Sequence, residues 1–148
     1  MTEICSGVKI RGKEVKEMYI TRECDYAVRV VRALSDGNRA SVNEICEKES
    51  ITAPFAYKIL KKLQKEGIVK GFRGVHGGYT IKRSLEELSL YEVYHAINPN
   101  MFIIECLEKG YECSRGEECA ECKIHGVLQQ VQDRMVELLK EQKMDKLV

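Results

Sequence analysis

Between residues 20 and 35 apolar side chains recur every three to four positions, setting Tyr26, Val30 and Leu34 on one face with Ala27, Val31 and Ala33 beside them. That period predicts an amphipathic helix, with Thr21 as its N-cap and Asp36-Gly37 as its stop. SVNEICEKE then opens on Ser41 and carries Glu44 three residues later, a capping-box arrangement that would turn Val42, Ile45 and Cys46 inward. After a turn at Glu49-Ser50, ITAPFAYKILKKLQKEG predicts a third helix. Thr52 is its candidate cap, Pro54 suits a first turn, Ala56, Ile59, Leu60 and Leu63 form the buried stripe, and Gly67 closes it. The period then changes. IVKGF and YTIK have strand character and flank the glycine-rich turn RGVHGG. Helix, turn, helix and basic-tipped hairpin together make a winged helix-turn-helix.

A second capping box, Ser89 with Glu92, starts LYEVYHAIN, which stops at Asn98-Pro99. The last helix is expected to run to the C-terminus, with Leu128, Val131, Met135 and Leu138 spaced three, four and three apart. So narrow a stripe, ringed by charge, predicts a helix that meets a second copy of itself, hence a homodimer. The fold class expected is mainly α with a small β-hairpin wing, a winged helix-turn-helix followed by a long C-terminal dimerisation helix. The divisions are a loose extension over 1–17, a DNA-binding domain over 18–98, a cysteine-rich loop over 99–125 and a dimerisation helix over 126–148. Met18 is an alternative start.

Composition changes this picture little: 148 residues, 44% hydrophobic and 32% charged, suit a soluble globular chain. No apolar run approaches membrane-spanning length, and the first residues lack the apolar core of a secretory signal, so the cytoplasm is the expected compartment. Charge adds more. Residues 52–83 hold eight Lys or Arg against the single acid Glu66, a balance of +7, whereas residues 84–148 balance at −6. The middle of the chain is therefore built to meet a polyanion, double-stranded DNA for this layout. Tyr57 and Lys58 are placed to reach base edges, Lys61 and Lys62 to meet phosphates, and Thr52, Pro54 and Phe55 to line the head of the same helix. At the wing, Arg73 is the candidate for a minor groove, with Gly74, His76 and Gly77 around it.

Cysteine usage gives the second chemical signal. Cys106, Cys113, Cys119 and Cys122 fall within one stretch of seventeen residues, with His125 three residues further on. A reduced compartment and short spacings favour metal over disulfides. Thiolates serve zinc and iron–sulfur clusters alike, so spacing alone leaves both open beside a redox-active thiol set. A thiol enzyme with Cys122 as nucleophile and His125 as base lacks an orienting third residue and an oxyanion site, and no enzyme is expected. Cys24 and Cys46 read as small core residues, and Cys5 lies in the loose extension.

ITRECDYAVRVVRAL, FAYKILKKLQKEGIVKGFRGVHGGYTI and the cysteine segment before the last helix resemble the IscR/NsrR/CymR-type transcriptional regulators, the Rrf-two family. The resemblance spans roughly residues 18–145 and rests on DYA-x-R at 25–29 and RG-x-x-GGY at 73–79. It implies a homodimer with a winged helix-turn-helix and a long crossed dimerisation helix; the function we expect is a cluster-gated repressor on operator DNA, the alternative a zinc-stabilised or cluster-free regulator responding to another signal. In several members three cysteines hold an iron–sulfur cluster, while CymR-like members lack them. Cys106, Cys113 and Cys119 match those three cysteines, which puts a cluster ahead of zinc, with [2Fe–2S] ahead of [4Fe–4S]. Cluster-binding members carry a histidine three residues after the third cysteine; here that position is Cys122, the fourth ligand we expect. His125 and a partner subunit's Asp25 are the alternatives that the resemblance leaves.

Overall fold

The computed structural model describes residues 20–114 and 121–148. Five α-helices and one hairpin make up the described regular structure: α1 (Arg22–Ala33), α2 (Val42–Glu49), α3 (Ala53–Lys65), β1 (Val69–Phe72), β2 (Gly78–Ile81), α4 (Leu90–Ile97) and α5 (Lys123–Glu141). Short 3-10 turns follow at Glu105–Leu107 and Met144–Lys146.

The predicted stripes are the core. Val30, Val31 and Leu34 of α1 and the region after it, Ile45 of α2, and Ala56, Ile59, Leu60 and Leu63 of α3 are all fully buried against one another. Cys24 is buried among them, and Cys46 packs at their edge, where burial pushes its thiol pKa up. Both capping boxes form: Ser41 Oγ accepts from Glu44 N, and Ser89 Oγ from Glu92 N, each at 3.3 Å. The two threonines behave differently. Thr21 and Thr52 hold the N-cap positions of α1 and α3, yet neither side chain caps its helix. Thr21 Oγ1 instead points to Cys24 Sγ, and the head of α3 keeps its first N–H groups uncommitted by any side-chain cap.

The hairpin is antiparallel, pairing Val69 with Ile81 and Phe72 with Gly78. Its outer edge is taken by the α1–α2 loop, where Ala40 and Tyr79 exchange both backbone hydrogen bonds at 2.9 and 2.8 Å. Contact is so close that a Cβ on Gly78 would stand 2.6 Å from Ala40 O, and Gly78 has a φ of +138°. Only glycine meets both demands.

The last helix does not reach the C-terminus. It ends at Glu141, and residues 142–148 double back: Leu90 N donates to Gln142 O at 2.8 Å and Met144 N to Leu88 O at 2.9 Å. Met144 is fully buried in the core. Nothing in ELLKEQKMDKLV marks a stop by glycine or proline, so the return is driven by burial of Met144, which helical periodicity does not register.

Candidate nucleic-acid interface and cysteine loop

Two clusters of candidate residues, at 52–77 and 106–125, are separated along the chain by α4, and the fold links them. On α3, burial of Ala56, Ile59, Leu60 and Leu63 forces Thr52, Pro54, Phe55, Tyr57, Lys58 and Lys61 outward. Tyr57 is 58% exposed, more than the core-building role of an aromatic would allow. Phe55 leans edge-on against Tyr26 of α1, with ring centroids 5.6 Å apart. The α3 lysines, however, are not all solvated. Lys58 and Lys62 both grip Glu23 of α1, Lys62 at 2.9 Å, and Lys62 also donates to Ile97 O at 3.1 Å. Partial burial pushes the Glu23 carboxyl up, but the hydrogen bonds and charges of Lys58 and Lys62 outweigh it and hold its pKa below the ordinary carboxylate value.

The wing presents Arg73, Gly74, Val75 and His76 at its exposed tip, and Gly77 N closes the turn on Gly74 O at 2.9 Å. Its orientation depends on Arg39 of the α1–α2 loop. The guanidinium lies 3.6 Å above the Phe72 ring and donates to His76 O at 2.7 Å. Sequence reasoning missed Arg39, because its partners lie more than thirty residues downstream and no motif connects them.

The cysteine loop leaves α4 at Asn98 and runs toward α5. Met101 and Leu107 are buried, and Cys106 sits half-buried in the 3-10 turn that packs against α5. Gln132 holds the first part of the loop in place: Ile103 N donates to its Oε1 at 2.9 Å, and its Nε2 donates to Met101 O at 2.7 Å. Gln132 is the buried residue of α5, a polar side chain outside the predicted stripe of Leu128, Val131, Met135 and Leu138. Cys113 and Cys122 are half-buried thiols, Cys122 serving as N-cap of α5 by accepting from His125 N at 3.4 Å. Cys119 lies outside the described residues. Among those described, no three Cys, His, Asp or Glu side chains stand together as a metal site.

The donor chemistry nevertheless suits a thiophilic metal group. Cys106, Cys113 and Cys122 are thiols rather than disulfides, and His125 Nδ1 is buried with no hydrogen-bond partner. An orphaned buried nitrogen costs about 1–3 kcal/mol, which a ligand or a metal would relieve. Asp25 pairs with Arg29 at 2.9 Å on the exposed side of α1.

Along α5, Val131 and Leu138 are about half exposed, as are Ile124 and Val127, while Leu128 and Met135 are partly covered. A shallow apolar trough runs along Val127, Val131, Met135, Leu138 and Leu139. Among the described residues no helix is long and apolar enough to cross a membrane.

The profile of one family, Rrf2, described as an iron-dependent transcriptional regulator, matches residues 20–148. The HTH-type transcriptional regulator IscR of Escherichia coli is 26% identical over 125 residues, covering 82% of this chain and 75% of that protein. Among solved structures, the oxidized form of Staphylococcus aureus CymR aligns with a TM-score of 0.67 at 17% identity, over 88% of this chain and 95% of that one. T. potens IscR aligns at 0.61 with 18% identity, over 88% and 86%.

Proposed function

The chain belongs to the Rrf2 family of transcriptional regulators, and from that premise we propose that it is a homodimeric repressor whose hold on operator DNA is set by an iron–sulfur cluster in the 99–125 loop. In this reading α3 enters the major groove. Tyr57 and Lys58 meet base edges, Lys61 and Lys62 meet phosphates, and Thr52, Pro54 and Phe55 bring the uncapped helix head against the backbone. Arg73, Gly74, His76 and Gly77 carry the wing to the neighbouring groove. The apolar positions Leu128, Val131, Met135 and Leu138 of α5 join two copies, so that two α3 helices address half-sites one helical turn apart.

Cys106, Cys113, Cys119 and Cys122 would hold the cluster, [2Fe–2S] in our reading, with His125 or a partner subunit's Asp25 as substitutes for Cys122. Bound there, a cluster supplies a centre whose charge and integrity respond to oxidants and to iron supply. The chain's own residues supply the coupling. One observation supports gating above all: the end of α4, from which the loop departs, is tied to α3 through Lys62 on Ile97 O, and four residues later the loop itself is tied to α5 through Gln132 on Met101 O. A change of loop conformation therefore pulls on the reading helix and the dimer helix together.

Anaerobic purification followed by a visible spectrum, with iron, sulfide and zinc assays on the same sample, tests this. Brown protein with matched iron and sulfide is the expected result, and Cys113→Ala should lose the iron while remaining folded. The thiol and imidazole donors would also accept zinc. Colourless protein with one zinc per chain would reject gating and leave a zinc-stabilised DNA-binding regulator.

A further inference from the structure

Glu23 of α1 has no part in the DNA contacts proposed above, yet it holds two lysines of the reading helix. It lies in the first turn of α1 with its side chain 23% exposed, one carboxylate oxygen on Lys58 and the other on Lys62. Of the two lysine charges that α3 would offer to DNA, one is thus already offset by a carboxylate inside the chain. The two lysines differ in freedom. Lys62 is further fixed by Ile97 O, whereas Lys58 keeps half its side chain exposed beside a cavity of about 290 Å³ bordered by Thr21, Glu23, Asn98 and Asn100. Lys58 therefore has room to swing from Glu23 to an outside anion.

We propose that Glu23 is an internal counter-anion that competes with DNA for Lys62 and for the phosphate contact Lys58 would make where no base edge suits it, and so weakens sequence-independent binding. The inference rests on α3 being the DNA-reading helix. Each lysine that newly neutralises a phosphate adds about 0.9 to the slope of log affinity against log salt. A lysine already neutralised by Glu23 gains less from DNA and releases less. Operator sites, with base-edge contacts to add, can bear that loss; random sequence cannot.

The test is a salt titration of a fluorescent random-sequence duplex against the full chain, with thermal unfolding recorded for each variant. Glu23→Gln keeps the hydrogen-bonding shape and removes the charge. It should bind several-fold tighter near 0.1 M salt, with a slope steeper by about 1. Glu86→Gln removes an exposed carboxylate in the loop before α4 and should not reproduce the effect. A second pair of variants works without altering Glu23: Lys58→Gln should lose less random-sequence affinity than Lys61→Gln, whose lysine is exposed on the same helix. An unmoved or shallower slope in a folded Glu23→Gln, an equal gain in Glu86→Gln, or equal losses for the two lysines would overturn the inference alone. Absence of any salt-dependent duplex binding by the wild-type chain would overturn the reading of α3 as well.

Discussion

Gln132 shows how much a single polar side chain decides here. It sits on a helix whose neighbours suggest a plain apolar seam, and it is the one residue of α5 that is buried, because both ends of its amide are used by the cysteine loop. Gln132→Ala would leave the Ile103 N–H and the Met101 carbonyl without partners in a poorly solvated site. The expected cost is about 1–3 kcal/mol, read as a lower midpoint in urea unfolding. Gln132→Glu would keep an acceptor for Ile103 but set a buried carboxylate against the Met101 carbonyl, and at neutral pH should cost at least as much as Gln132→Ala. Residues such as Gln132, Arg39 and Glu23 were not legible in the sequence. Their partners lie 29 to 39 positions away, and no local pattern records such a pairing. Ser41 with Glu44 and Ser89 with Glu92 were legible for the opposite reason, since donor and acceptor sit three residues apart.

At the level of elements, the helices that build the core announced themselves by period, and the hairpin by its glycines and its change to alternation. The end of α5 did not, because the feature that stops it is a burial event rather than a stop signal. Met144, drawn under α4 by its backbone bond to Leu88, replaces a further helical turn that would have pointed into solvent. Met144→Ala should therefore destabilise the fold by about 2–4 kcal/mol, a large effect for a residue so near a terminus, seen as a lower Tm. The threonine caps failed at the same level. A residue type names the N-cap position correctly, but Thr21 finds Cys24 Sγ, and the Thr52 side chain makes no cap hydrogen bond.

For the whole molecule, the half-exposed apolar residues of α5 would be a liability in a monomer. Val131 and Leu138 lie one above the other along a trough that no described part of the chain covers. In light scattering after size exclusion, the wild-type chain should run as a dimer, and Val131→Glu as a folded monomer with much weaker affinity for two-fold DNA sites. The candidate metal donors were legible as a group from their spacing. Among the described residues those donors do not stand together as a site, and no period in the sequence fixes how far apart the chain sets them.

The wing, finally, is no free finger. Ala40 pairs with its outer strand, Arg39 clamps its ring and its tip carbonyl, and Gly78 admits no side chain that would loosen the seam. Such a hairpin arrives at DNA with its ordering entropy already spent in folding. In the proposed reading, with Arg73 at a minor groove, it would work as a fixed calliper, favouring sequences whose minor groove is already of the matching width over those that must be bent to fit.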